Sequence, residues 1–332
     1  MLNLLRLFIF STIIGVSLST HAETQSPFLI ANYNPIPQIV GLPTMPDLSQ
    51  FDSDNKRRLS WGVYADFTNF FAATANSREV CIIDGESYRY SAHLSLRLGE
   101  KSLLQFKFPY NIYFGGGMDA GIESWHTTFS LPEGGRQEYP RDLLRFYYKR
   151  DNRVLFDYQK SSKGALDSSL RYVYRLSSRN KSLINSFFLH VEFPNGDKSE
   201  WRGNGHSDIA MGWATAQRLN FFTHASTYYY DYGLLFPGKL EMLETQQNPV
   251  VGFGALGLAL NARQWLQLKA QLDVNTKIIR DSRAQELGGE AAQLTLGGDI
   301  LFPAWRLEIG VSEDLIIDAS PDVTFHLGIA NR

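Results

Sequence analysis

The residues of this chain best suited to chemistry are charged side chains that recur at every second position. Arg89, His93 and Arg97 fall on one parity of a run whose other parity is Tyr88, Tyr90, Leu94, Leu96 and Leu98. Lys107 sits the same way among Leu104, Phe106, Phe108 and Tyr110, and Arg171 and Arg175 among Leu170, Tyr172 and Tyr174. His190 with Glu192, Lys269 with Asp273, and Arg306 with Glu308 repeat the arrangement farther on. Side chains two apart on a strand share a face, so a polar ladder stands behind an apolar one. Around enclosed water such a ladder sets which ions and solutes pass. In a narrow or filled interior the same groups must pair, because unpaired buried charge is costly. The mixed signs favour partial pairing. The surplus of Arg and Lys over acids points to an interior that prefers anions where it is open.

A second candidate is the stretch 113–142. It opens on three glycines at 115–117, and Asp119 is placed to cap a short helix. On that helix Ile122, Trp125, His126 and Phe129 share one side. Pro132 ends it, and Gly134 and Gly135 let the chain fold back. A structured loop of this length is usually functional or a constriction. Trp125, His126, Phe129 and Arg136 are therefore candidates for a lid or a ligand contact. The alternative is a loop folded inward only to close the interior.

Other signatures carry less. Gly252-Phe-Gly-Ala-Leu-Gly257 has dinucleotide spacing, but that chemistry needs a strand before it, a helix opening on it and an acid about 20 residues on. Here the glycines lie inside an alternating strand, where small residues ease crowding. His206-Ser207-Asp208 holds the residue types of a triad, yet strand neighbours point to opposite faces. No serine is marked by a nucleophile elbow. A base from His93, His190, His224 or His326 keeps a lipid-acting enzyme open as a second reading. The seven histidines are scattered, Cys81 is the single cysteine, and Asp52-Ser-Asp-Asn55 lacks the glycine and distal glutamate of a calcium loop. The sequence assigns no catalytic residue, no metal site and no cofactor.

The elements that must position these residues are strands. Alternating segments of 10–14 residues recur from Leu59 onward, against the roughly 9–11 needed to cross a bilayer when tilted and the five or six usual in soluble sheets. Short connections fall at 99–101, 178–181, 218–220, 262–264 and 301–304. Longer polar ones fall at 76–86, 113–142, 194–206, 233–248 and 280–289. Short and long alternate, as periplasmic turns and external loops do in outer-membrane barrels. The pattern predicts an all-β, transmembrane, antiparallel up-and-down barrel of about 12 strands, with a short helix in the long loop after the third. Counting 143–159 as two further spans gives 14.

The chain has 332 residues and a net charge of −2, which leaves no basic footprint for nucleic acid. Mean hydropathy is −0.21, as expected where every second strand residue faces a polar interior. An aromatic content of 13% fits girdles at the membrane interfaces. Residues 1–22 read as a cleaved export leader, with Arg6 before an apolar run too short to span a bilayer and Thr-His-Ala at its end. Residues 23–58, with Pro35, Pro37, Pro43 and Pro46, read as a periplasmic lead-in, with tucking into the barrel mouth as an option. The barrel takes 59–332.

Several segments together resemble an uncharacterised family of Gram-negative outer-membrane proteins, domain-of-unknown-function family 3187. They are Asn34-Pro35 with Gly41-Leu-Pro43, Asp84-Gly-Glu-Ser-Tyr-Arg89, Gly115-Gly-Gly-Met-Asp119, and Trp125-His126 with Leu131-Pro-Glu-Gly-Gly-Arg136. Phe193-Pro-Asn-Gly-Asp197, Gly203-Asn-Gly-His-Ser-Asp208 and Ala319-Ser-Pro-Asp-Val-Thr-Phe-His326 complete the set. The resemblance implies outer-membrane location and a barrel, and supplies no activity. One departure is the ending Gly328-Ile-Ala-Asn-Arg332, which lacks the final aromatic residue common in such barrels. The expected function is passive passage or binding of a small solute, with a structural barrel or a lipid-acting enzyme as alternatives. Expected partners are outer-membrane lipids, the barrel-assembly machinery and the solute.

Overall fold

The computed structural model describes residues 25–332 apart from 53–54, 56, 131–134, 222–223 and 317–318. The leader expected over 1–22 lies outside the described residues, as do the side chains of Trp125 and Phe129.

Where apolar and polar residues alternate, the chain is extended, because the two faces of a strand then meet two different surroundings. The wall begins with β1 (Leu59–Ala75), β2 (Glu79–Arg97) and β3 (Ser102–Phe114). A hairpin follows, β4 (Arg145–Arg150) and β5 (Arg153–Tyr158), then β6 (Ser162–Ala165) and β7 (Ser168–Arg175). A meander continues through β8 (Leu183–Phe193), β9 (Asp208–Phe221), β10 (His224–Phe236) and β11 (Val251–Arg263). It ends with β12 (Leu266–Asn275), β13 (Ala291–Leu301), β14 (Trp305–Asp314) and β15 (Val323–Asn331).

Neighbours are antiparallel, and β15 returns to β1 with Gly62 opposite Ala330 and Asn69 opposite Val323. β6 and β7 both pair with β3 and act as one interrupted strand. β4 joins the Glu79–Asp84 end of β2, outside the ring. With β4, β5 and β6 set aside, the barrel closes on 12 strands. Closure leaves no unpaired edge, which lipid could not satisfy.

Two expected connections differ. Of the loop read at 76–86, only 76–78 leave the ladder. Polar side chains do not end β2 there, because β1 and β4 pair its backbone on both edges. The turn read at 218–220 lies inside β9, where Arg218 and Asn220 pair with Thr227 and Ala225.

The outer face is apolar. Leu94, Phe108, Leu234, Leu256, Leu268 and Leu296 each leave 39–54% of their surface uncovered. Such a belt far exceeds what a water-soluble monomer exposes. Trp61, Trp265 and Trp305 stand uncovered at the turn end, where a girdle meets the membrane surface.

Residues 25–52 go farther in than a mouth: they run up the inside of the barrel and back. The Gln25 amide donates to Thr227 Oγ1 near the turn end at 3.1 Å. Asn32 reaches the Ala319 carbonyl at the loop end at 2.9 Å. A single helical turn, α1 (Pro35–Ile39), reverses the direction; Pro35 fits its first position and Pro37 still lies before the first internal bond. The segment then descends past Thr44 to Asp52, which pairs with Arg218 at 3.2 Å. At the loop end Ile36, Ile39, Val40, Leu42 and Met45 form an apolar core with Tyr113 of β3, Phe146 of β4 and Leu240 of the loop after β10. Gly41 turns the chain with φ +62°, and a Cβ there would collide with the Glu192 carboxylate.

The expected helix after β3 is α2 (Asp119–Phe129). Asp119 is its first residue, not its cap; Met118 holds the cap position without a side-chain bond. The Asp119 carboxylate is engaged elsewhere.

Candidate functional site

The lumen has two unlike walls, with the N-terminal segment between them. On β2, β3 and β7 the inward cations hold the segment by its polar groups. Arg89 donates to Gln38 Oε1 at 3.1 Å and lies 4.6 Å from the Tyr33 ring centroid. Arg97 donates to the Gln50 and Asn55 carbonyls at 2.9 and 2.7 Å. Arg171 and Arg175 each take one carbonyl, Thr44 and Phe51, at 2.6 Å. Gln105 adds the Asp47 carbonyl at 2.8 Å. A non-helical, unpaired backbone inside a protein needs such partners, and this wall supplies them.

On β12–β15 and β1 the charges pair with one another. Lys269 Nζ lies 2.5 Å from Glu308 Oε2 and 2.8 Å from Asp299 Oδ2. His326 bridges Glu308 Oε1 at 2.7 Å and Asp66 Oδ1 at 2.5 Å. Arg306 stands 3.8 Å from Asp299. Phe28 of the inner segment packs edge-on to His326, and Lys269 sits 5.0 Å from its ring centroid. Asp273 accepts from Gln271 at 3.0 Å.

The third constellation closes the loop end. Arg136 is 4% exposed and donates to Asp119 Oδ1 and Asn69 Oδ1, both at 2.5 Å, and to Asp322. The other Asp119 oxygen accepts the Asp142 amide at 2.7 Å. Burial pushes the Asp322 carboxyl above the usual carboxylate range, and the Arg136 guanidinium pulls it partly back. Burial opposes the charge of Arg136, but the carboxylates of Asp322 and Asp119 outweigh it and hold the guanidinium above its ordinary value. His126, on α2 itself, is also buried. Arg136 thus fastens α2 and the β14–β15 loop to β1 through its two terminal nitrogens, while its Nε is buried without a partner.

Of the residues singled out by sequence, Arg89, Arg97, Arg171 and Arg175 meet on the gripping wall. Lys269, Arg306 and Glu308 meet on the pairing wall. His93, Lys107 and His190 line a recess near the turn end. Glu192 turns instead toward Gly41 and Asp208. Parity alone missed the partners Asp66, Asp299, His326 and Asp322. The first of these was within reach: closing the ring puts β1 beside β15, and Asp66 stands directly opposite His326. A Ser–His contact does occur, Ser91 Oγ to His93 Nε2 at 3.1 Å, but Ser91 is 4% exposed and faces the lumen. His206, Ser207 and Asp208 assemble no triad, since Asp208 is taken by Asn204 at 2.9 Å and by the Gly238 amide.

Among solved structures, the COG4313 outer membrane channel from Pseudomonas putida F1 is 14% identical, with a TM-score of 0.52 over 86% of this chain and 99% of that one. The NanC porin is 6% identical, with a TM-score of 0.46 over 82% and 99%. The P. putida toluene transporter TodX is 9% identical, with a TM-score of 0.38 over 93% and 94%. The first likeness shows the fold, that of an outer-membrane barrel; the other two carry no argument. A comparison with curated proteins returns no match. Over residues 5–332 the sequence fits the model of the protein family of unknown function DUF3187, and the chain belongs to that family.

Proposed function

We propose that the protein is an outer-membrane channel for a small polar solute, closed in this state by its own N-terminal segment. The carrying observation is the kind of contact between that segment and the wall. In the turn-end half, charged side chains grip the segment's carbonyls with no strand ladder between them, and only Leu48 and Phe51 of the segment add apolar contact there, in one buried cluster with Leu103, Val173 and Ile184. Water can take over such bonds when the segment leaves, whereas an apolar wall would be left exposed. A barrel with a purely structural role gains nothing from an interior that tolerates wetting. The likeness in fold to a channel named as an outer membrane protein agrees with this reading. In it, residues 1–22 direct export, the barrel-assembly machinery inserts the chain, lipid covers the apolar belt, and 23–58 form the gate.

Liposome swelling tests the proposal. The full chain should admit a small sugar slowly. Arg89→Gln/Arg175→Gln removes bonds to charged donors worth roughly 1.5–3 kcal/mol each, and should admit the sugar at least about tenfold faster. Folded protein of both kinds leaving liposomes as tight as empty ones would rule the channel out.

A further inference from the structure

The turn-end half of the lumen contains a recess whose lining includes the exposed Arg57, Trp61 and Arg332. Strand register explains its lining. His93 stands opposite Lys107, and Lys107 opposite Ser169. One pair nearer the turn end, Gln105 stands opposite Arg171, and Arg171 opposite His190. Opposed side chains in antiparallel strands begin about 5 Å apart, so His93, Lys107, Ser169, Arg171 and His190 form one patch of donors. All five line the recess.

Much of this hydrogen-bonding capacity is unspent. His190 is 3% exposed, and both of its ring nitrogens are buried without a partner. Arg171 is 6% exposed, and its Nε is likewise unpartnered. Lys107 makes no ion pair among the described residues. Asp231, the acid whose charge acts on Arg171, lies outside the lining of the recess, and two other nearby acids are turned to other work. Glu192 faces Gly41 and Asp208, and Asp47 Oδ1, which also borders the recess, accepts the Ser49 amide at 2.9 Å. Arg306 closes the far side of the same space.

We infer that this recess binds a small oxyanion, the carboxylate or phosphate group of a solute. The inference rests on the channel reading and names the class of its solute. Lys107 and Arg171 supply charge, and the flat guanidinium of Arg171 suits paired oxygens. His190 and Ser169 complete the donor set. A neutral sugar brings no charge to these cations and should bind more weakly.

The full chain in lipid nanodiscs, titrated calorimetrically with inorganic phosphate and separately with succinate, tests this. Saturable binding of either anion in the millimolar range or tighter is expected, with none for glycerol. Phosphate alone would mark a phosphoryl site, and succinate alone a carboxylate site. Lys107→Gln should weaken binding about tenfold, and Lys107→Gln/Arg171→Gln further. Asp151→Asn, in the exposed β4–β5 turn away from the recess, should hold the affinity within about twofold. Lys107 makes no ion pair, so its variant remains a fair probe if loss of Arg171 disturbs folding. The proposal is overturned if neither anion binds saturably, or if folded Lys107→Gln binds as the parent does. Binding without solute passage would keep the site and remove the channel. Passage without anion binding would do the reverse.

Discussion

Two lysines on the inner face show how differently one residue type is used. Lys269 has a side chain 0% exposed between Glu308 and Asp299. Removing it leaves two buried carboxylates facing each other, a change worth about 3–5 kcal/mol. Lys107 has no such obligation, and its loss should cost within about 1 kcal/mol. Lys269→Ala should therefore unfold at clearly lower urea than the parent in a heat-modifiability series, and Lys107→Gln near the parent. Coincident midpoints for the two variants would contradict these assignments. Both lysines were visible in the sequence as inward residues, because parity sets the face of every strand position. Their partners were not, since Lys269 meets Glu308 from 39 residues away and parity carries no register between strands.

Among the elements, the loop after β3 and the N-terminal segment behave differently as closures. α2 and its return are fastened by one buried arginine to three acceptors from β1, α2 and the β14–β15 loop. Arg136→Ala should free residues 113–142, making them cleavable by external protease at least about tenfold faster, while the heat-modifiable barrel persists. Unchanged cleavage would show that Arg136 does not hold the loop. The helix itself was legible, from three glycines, periodic apolar residues and Pro132. The course of residues 25–52 was not. Their prolines exclude a long helix and a central strand, but nothing periodic says where such a segment lies. Its contacts span 202 residues to Thr227 and 243 to Gln271, so only the closed barrel reveals them. The same distance explains the misplaced ends of β2 and β9, where pairing partners overrode polar side chains.

For the whole molecule, an apolar belt, a closed ring of 12 strands and a charged interior suit the proposed conduit, and residues 25–52 lie inside it. The loop-end half is shut by apolar packing and by Arg136, and the turn-end half combines charged grips with the buried Leu48 and Phe51 and opens on a donor-lined recess. The central claim is that residues 25–52 are the stopper. Its most direct test is single-channel conductance in planar bilayers of the full chain and of a chain lacking 25–52, each confirmed as folded by heat-modifiability. The full chain should be closed for most of the record, and the shortened chain should show steady openings whose reversal potential in a salt gradient favours anions. A folded barrel without residues 25–52 that conducts no more than the full chain would contradict the account.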